Sequence, residues 1–147
     1  MISWLKNWGY EVKDSTKDNK IQGIEFQAQI KPQLPYPSGL STSLYLEFQK
    51  ELDYCFILRT IFELDKQMEN KMNKENFDIK YTDLESVIYS LNISMIQSYP
   101  LINIYKVMFH EDLTKRLFLE GINGLVHSMS LIISKMNKKS REVVQQI

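Results

Sequence analysis

The densest group of side chains able to do acid–base or metal chemistry is His110-Glu111-Asp112. An imidazole beside carboxylates can move a proton near neutral pH, given a substrate within reach. The triplet also opens like a His-Glu-x-x-His zinc helix, but position 114 is Thr, so the second imidazole of that motif is missing. The other histidine, His127, lies 17 residues further along. On one helix, at 1.5 Å per residue, that separation is about 25 Å, too far for a shared metal. The triplet therefore reads as a helix start, with Glu111 or Asp112 at the positive end of the helix and a surface histidine. The alternative is a small-ligand or enzymatic site built on His110 and Glu111 with partners distant in sequence.

Cys55, flanked by Tyr54 and Phe56, lacks the cationic, half-exposed setting that makes a thiolate and reads as a small core residue. Ser38, in Pro37-Ser38-Gly39, is a turn serine without the Gly-x-Ser-x-Gly elbow of a hydrolase. The five glycines form neither a phosphate-binding loop nor a dinucleotide fingerprint. The sequence thus assigns no catalytic residue, no metal ligand and no cofactor. Lys135, Lys138, Lys139 and Arg141 make a basic cluster near the C-terminus. It suits the negative end of a helix, or else an acidic partner or nucleic acid.

Composition narrows the classes. The 147 residues, 44% hydrophobic and 24% charged, fit one domain over 1–147 with a single core. Eighteen basic side chains balance eighteen acidic ones, which argues against a dedicated nucleic-acid binder. One cysteine allows no intrachain disulfide and no four-cysteine zinc site. The first residues do not read as a signal peptide. The most apolar segment, Leu117 to Met136, is interrupted by Glu120, Asn123 and His127 and reads as a buried amphipathic helix rather than a membrane span. A cytoplasmic setting is expected.

The elements that must position these groups follow from periodicity. Ile2, Leu5 and Trp8 recur at helical spacing, with Ser3 as a cap and Gly9 as a stop. Residues 13–20 read as a polar connector. Ile24, Phe26, Ala28 and Ile30 alternate with polar residues, as do Leu44, Leu46 and Phe48, predicting two strands with one buried face each. The Pro-rich 32–42 is a loop. Residues 54–64 are apolar on both faces and β-rich, predicting a central strand. Residues 65–80, with Met68 and Met72, read as a helical turn or two and a loop. Thr82-x-x-Glu85 has capping-box spacing before a helix with Leu84, Val87, Ile88 and Leu91 on its apolar face. Residues 93–99 and 101–109 form a hairpin about Pro100. A long helix follows, with Leu113, Leu117, Phe118, Ile122, Leu125, Met129, Ile132 and Met136 as its stripe, and 137–147 as its polar, fraying end. The order α-β-β-β-α-β-β-α, with about five strands, is an α+β fold: an antiparallel sheet with helices packed on it.

The stretch Ile104-Tyr105-Lys106-Val107-Met108-Phe109-His110-Glu111-Asp112-Leu113-Thr114-Lys115-Arg116-Leu117-Phe118 resembles a small uncharacterised archaeal family. There a strand runs into an Asp-x-Leu-Thr-Lys turn and a long apolar helix. The opening Trp4-Leu5, Gly9-Tyr10 and Val12 are similar to its N-terminal helix. Glu111 stands where that family has Asp, and one extra residue precedes Phe118. The resemblance implies a fold shared with YbjN-like proteins and type III secretion chaperones, and through that fold polypeptide binding, often by dimers. The functional expectation is a non-catalytic protein- or peptide-binding module of chaperone or adaptor type, with a homodimer as one form, no membrane partner, and nucleic acid disfavoured.

Overall fold

The computed structural model describes residues 1–18, 23–31, 43–63, 84–98 and 101–145, with the side chains of Glu63 and of 135–145 left aside. Helix α1 (Ile2–Asn7) is followed by strand β1 (Val12–Asp14) and a 3-10 turn (Thr16–Asp18). Strands β2 (Ile24–Ile30), β3 (Leu44–Gln49) and β4 (Cys55–Glu63) come next. A helix α2 over 84–90, strands β5 (Ser94–Ser98) and β6 (Leu101–Phe109), a 3-10 turn (His110–Asp112) and helix α3 (Lys115–Gln145) complete the chain. The six strands form one antiparallel sheet in the order β1-β2-β3-β4-β6-β5. The α+β class and the antiparallel sheet are as expected.

The sheet has one strand more than periodicity suggests, so the expected order is corrected. Val12–Asp14, whose last two residues fall in the expected polar connector 13–20, pairs with β2 as an edge strand, Val12 opposite Ile30 and Asp14 opposite Ala28. Three residues with two charges give no period to read. The edge is closed locally: Asp14 accepts from the Thr16 backbone N–H at 3.0 Å and from its hydroxyl at 2.6 Å. These bonds hold the Asp14 carboxyl below its ordinary pKa. Ser3 does not cap α1; Met1 takes the N-cap position without a side-chain bond. Gly9, at φ +89°, ends the helix as expected.

Alternation sorts the sheet into two faces. Ala28 and Ile30, Leu44 and Leu46, Phe56, Leu58 and Phe62, Ile102, Ile104 and Met108, and Met95 point to one side and are buried. All three helices lie there. Leu5 of α1, Ile88 of α2, and Phe118, Ile122, Leu125, Met129, Ile132 and Ile133 of α3 complete the core. Helix α3 is long and apolar enough over Lys115–Ser134 to cross a membrane by length and composition. Its apolar stripe is instead the side that covers the sheet. Two predicted members of helical stripes turn outward: Leu117 is 42% exposed and Val87 is 45% exposed. Ile133, which the expected stripe does not include, is fully buried. Helix α3 runs on to Gln145.

Close approach of α3 to the sheet depends on two glycines. A methyl on Gly121 would stand 3.2 Å from the Met108 sulfur, and one on Gly124 3.3 Å from the Leu91 carbonyl oxygen. The start of α3 differs from expectation. Glu111 and Asp112 lie in the separate 3-10 turn, exposed. The cap is Thr114, whose hydroxyl accepts from the Leu117 N–H at 3.1 Å. Thr114→Ala is therefore expected to cost about 1 kcal/mol, while Asp112→Ala changes stability by less than about 0.5 kcal/mol; paired urea melts measure both. The predicted loop 32–42 with Ser38, the segment 65–80 with Met68 and Met72, the Thr82 cap and Pro100 lie outside the described residues.

Candidate functional site

The residues singled out in the sequence do not converge. His110 is exposed, and its ring stacks on Phe48 (centroids 5.7 Å apart, planes 17° apart) and leans on Phe56 at 5.4 Å. Among the described residues its side chain has no hydrogen-bond or ion-pair partner. It caps an aromatic cluster that continues through Phe118 to Trp4 and Trp8. His127 is exposed on α3. Cys55 is buried and free. No group of three His, Cys, Asp or Glu side chains able to hold a metal occurs among the described residues. The side chains of Lys135, Lys138, Lys139 and Arg141 are outside them.

What the structure does assemble is the second face of the sheet. The strand residues between the core positions point there, and no helix covers it among the described residues. The register lays them out as a grid. Gln27, Glu47, Ile57 and Val107 form one cross-strand row; Lys13, Gln29, Tyr45, Arg59, Tyr105 and Ser94 form the next; Ile61, Asn103 and Ile96 the third. Leu101 and Phe109 sit at either end of β6. On this face Ile61, Ile96, Val107 and Phe109 are 40–49% exposed, and Tyr54 stacks on Phe109 at 6.2 Å. On β4, β6 and β5, exposed apolar side chains therefore lie on both sides of the Arg59–Tyr105 row, Val107 and Phe109 on one and Ile61 and Ile96 on the other.

The same face carries a buried polar relay. The Ser15 hydroxyl donates to Gln27 Oε1 at 2.8 Å, and Gln27 Nε2 donates to Glu47 Oε1 at 3.0 Å. Arg59 forms an ion pair with the same Glu47 oxygen. The Glu47 side chain is 1% exposed and that of Arg59 21%. Among the described residues, Glu47 Oε2 and Arg59 Nε have no hydrogen-bond partner, nor does Asn103 Oδ1 in the row beside Arg59. Strand alternation marked Glu47 as a solvent-side residue. Its partners are Gln27, directly opposite on β2, and Arg59, diagonal to it on β4, an arrangement set by the register that the sequence pattern does not display. Arg59 stands between Tyr45 and Tyr105 in its row, with its guanidinium reaching to Glu47 in the next. Charge is thus neutralised at the centre of the face, with two tyrosines and aliphatic side chains around it.

No family model matches the chain, and no curated protein matches it. Among solved structures it is similar to the crystal structure of an uncharacterised protein from Methanothermobacter thermautotrophicus, with a TM-score of 0.69 over 95% of this chain and 94% of that one, at 10% identity. At that identity the likeness concerns the fold. It agrees with the expectation of an uncharacterised archaeal protein and adds no activity.

Proposed function

We propose that this chain is a non-catalytic protein-binding module that receives its partner on the helix-free face of the sheet. The observation that supports this reading is the make-up of that face. Ile61 and Ile96 on one side and Val107 and Phe109 on the other flank the Tyr45–Arg59–Tyr105 row, whose cation is already matched by Glu47. Tyrosine and arginine within a desolvated aliphatic surround are the residue types that dominate binding energy at protein interfaces. Exposed apolar side chains gathered on one face mark an interaction surface. The resemblance to a type III secretion chaperone-like fold points the same way, as analogy. A second copy of the chain is one such partner.

A photo-crosslinking residue at Val107 is expected to give a discrete adduct in native lysate, or a dimer with purified protein. The same residue at Arg116, on the helical side, gives none. Adding Ile61→Asp to the Val107 probe should weaken capture at least about tenfold, because an unpaired carboxylate enters the interface. Equal labelling from both positions, or none from Val107, rejects the reading.

A further inference from the structure

A second site lies on the opposite, helical side, where α1 leaves the corner of β2 and β3 uncovered. Met1, Ile2 and Ser3 form one wall of a cavity of about 600 Å³, and Phe26, Leu46 and Phe48 form its floor beside Glu25. The floor is held firmly. Phe26 meets Phe48 edge-on at 5.8 Å, and Phe48 packs in a triangle with Phe56 and His110.

The presence of Glu25 there needs an explanation, since neighbours on a strand point to opposite faces. The register supplies it. Ile24 pairs with Gln49 and Phe26 with Phe48, so Glu25 is an inserted residue in a β-bulge. Bulged residues share one partner, which re-aims a side chain and lets Glu25 and Phe26 serve the same side. Gly23, at φ +88°, leads into the bulge, and its carbonyl accepts from the Lys50 N–H at 2.8 Å.

Glu25 and Phe26 also line an adjoining cavity with Lys13, Asp14, Thr16, Lys17 and Asp18. The charges of that neighbour are largely matched. Lys13 pairs with Asp18 at 3.7 Å, Asp14 is bonded by Thr16, and Lys17 acts electrostatically on Asp14. Glu25 is exposed and has no ion pair or hydrogen bond among the described residues.

We propose that this cleft binds an apolar primary ammonium compound, with its chain over Phe26 and Phe48 and its cation at the Glu25 carboxylate. The volume is within the range of small-molecule sites, and a mostly apolar lining with one placed charge is their usual make-up. This site is independent of the protein-binding face.

The test is an amide-resolved NMR titration with n-octylammonium, n-octanol and octanoate. All three have the same chain, so their order reports the charge. The expected result is saturable shifts at Ser3, Glu25, Phe26, Leu46 and Phe48, with Val107 and Ile61 unmoved. Octylammonium should bind about threefold more tightly than octanol, the scale of an exposed ion pair, and octanoate most weakly. Glu25→Gln, a surface change, should erase that order and leave octanol binding unaltered. Equal affinities for the three compounds, an order that survives Glu25→Gln, or shifts confined to other surfaces would overturn the proposal.

Discussion

Phe118→Ala is expected to lower the unfolding free energy by about 3–5 kcal/mol, the range for removing a buried ring. Phe118 is fully buried and lies at the junction of three elements. Its ring is 5.8 Å from Trp4 and 6.0 Å from Trp8 on and after α1, and 6.1 Å from Phe56 on β4. Helix α1 has six residues and no side-chain cap, so it cannot hold itself together and depends on packing. Truncating Phe118 therefore opens a cavity and also removes the surface on which α1 docks. Two probes should separate these effects. Urea unfolding followed by circular dichroism gives the loss of stability. Tryptophan fluorescence before the transition should move to longer wavelength as Trp4 and Trp8 gain water. Leu117→Ala, one residue earlier in the predicted stripe, should cost less than about 1 kcal/mol, because that side chain is 42% exposed. Equal losses from the two variants would contradict the orientation of α3.

The comparison of these two neighbours shows where the sequence could be read and where it could not. The stripe of α3 was legible to within one residue, because apolar side chains at helical spacing outnumber alternatives over several turns. At the first turn the pattern offers Leu117 and Phe118 side by side, and only the docked position of α1 decides between them. The strands β2, β3 and β6 were legible because a sheet with one buried face writes its period into the chain. Strand β4 was placed correctly in the sheet, but being apolar on both sides it could not say which face the helices take. β1 was invisible, since an edge strand stabilised by the backbone and by Asp14–Thr16 bonds needs little apolar content. The candidate site fared worse. His110, Glu111 and Asp112 are conspicuous as a triplet in sequence yet exposed in space. Glu47 and Glu25 look alike in sequence, each a carboxylate in an alternating strand. One is buried by partners on two other strands and the other is turned by a bulge, and both outcomes depend on register.

That dependence on register makes Arg59→Met the most informative substitution on the outer face. The Glu47 side chain is 1% exposed, and its carboxylate is matched by Arg59 and by the Gln27 amide. Removing the cation leaves a buried carboxylate without its counter-charge, for which the expected loss is about 3–5 kcal/mol. Glu47→Gln should cost less, about 1–2 kcal/mol, because the stranded guanidinium is 21% exposed and can turn to water, and the amide oxygen still accepts from Gln27. The double variant Glu47→Leu with Arg59→Met removes both charges together and should recover most of the loss, since a buried pair is often no more stable than apolar side chains of similar size. Recovery stays incomplete by about 1 kcal/mol, because Gln27 Nε2 then lacks its acceptor. Chemical denaturation of these proteins, with the Glu47→Leu single variant added, closes this cycle. If Arg59→Met costs no more than Glu47→Gln, the carboxylate is better solvated than its burial indicates. The double variant also separates stability from recognition. It keeps a neutral, folded face but lacks the guanidinium of the Tyr45–Arg59–Tyr105 row, so a partner that uses Arg59 should be captured at Val107 less efficiently by a protein that is nearly as stable. A partner held by the apolar side chains alone should be captured as before.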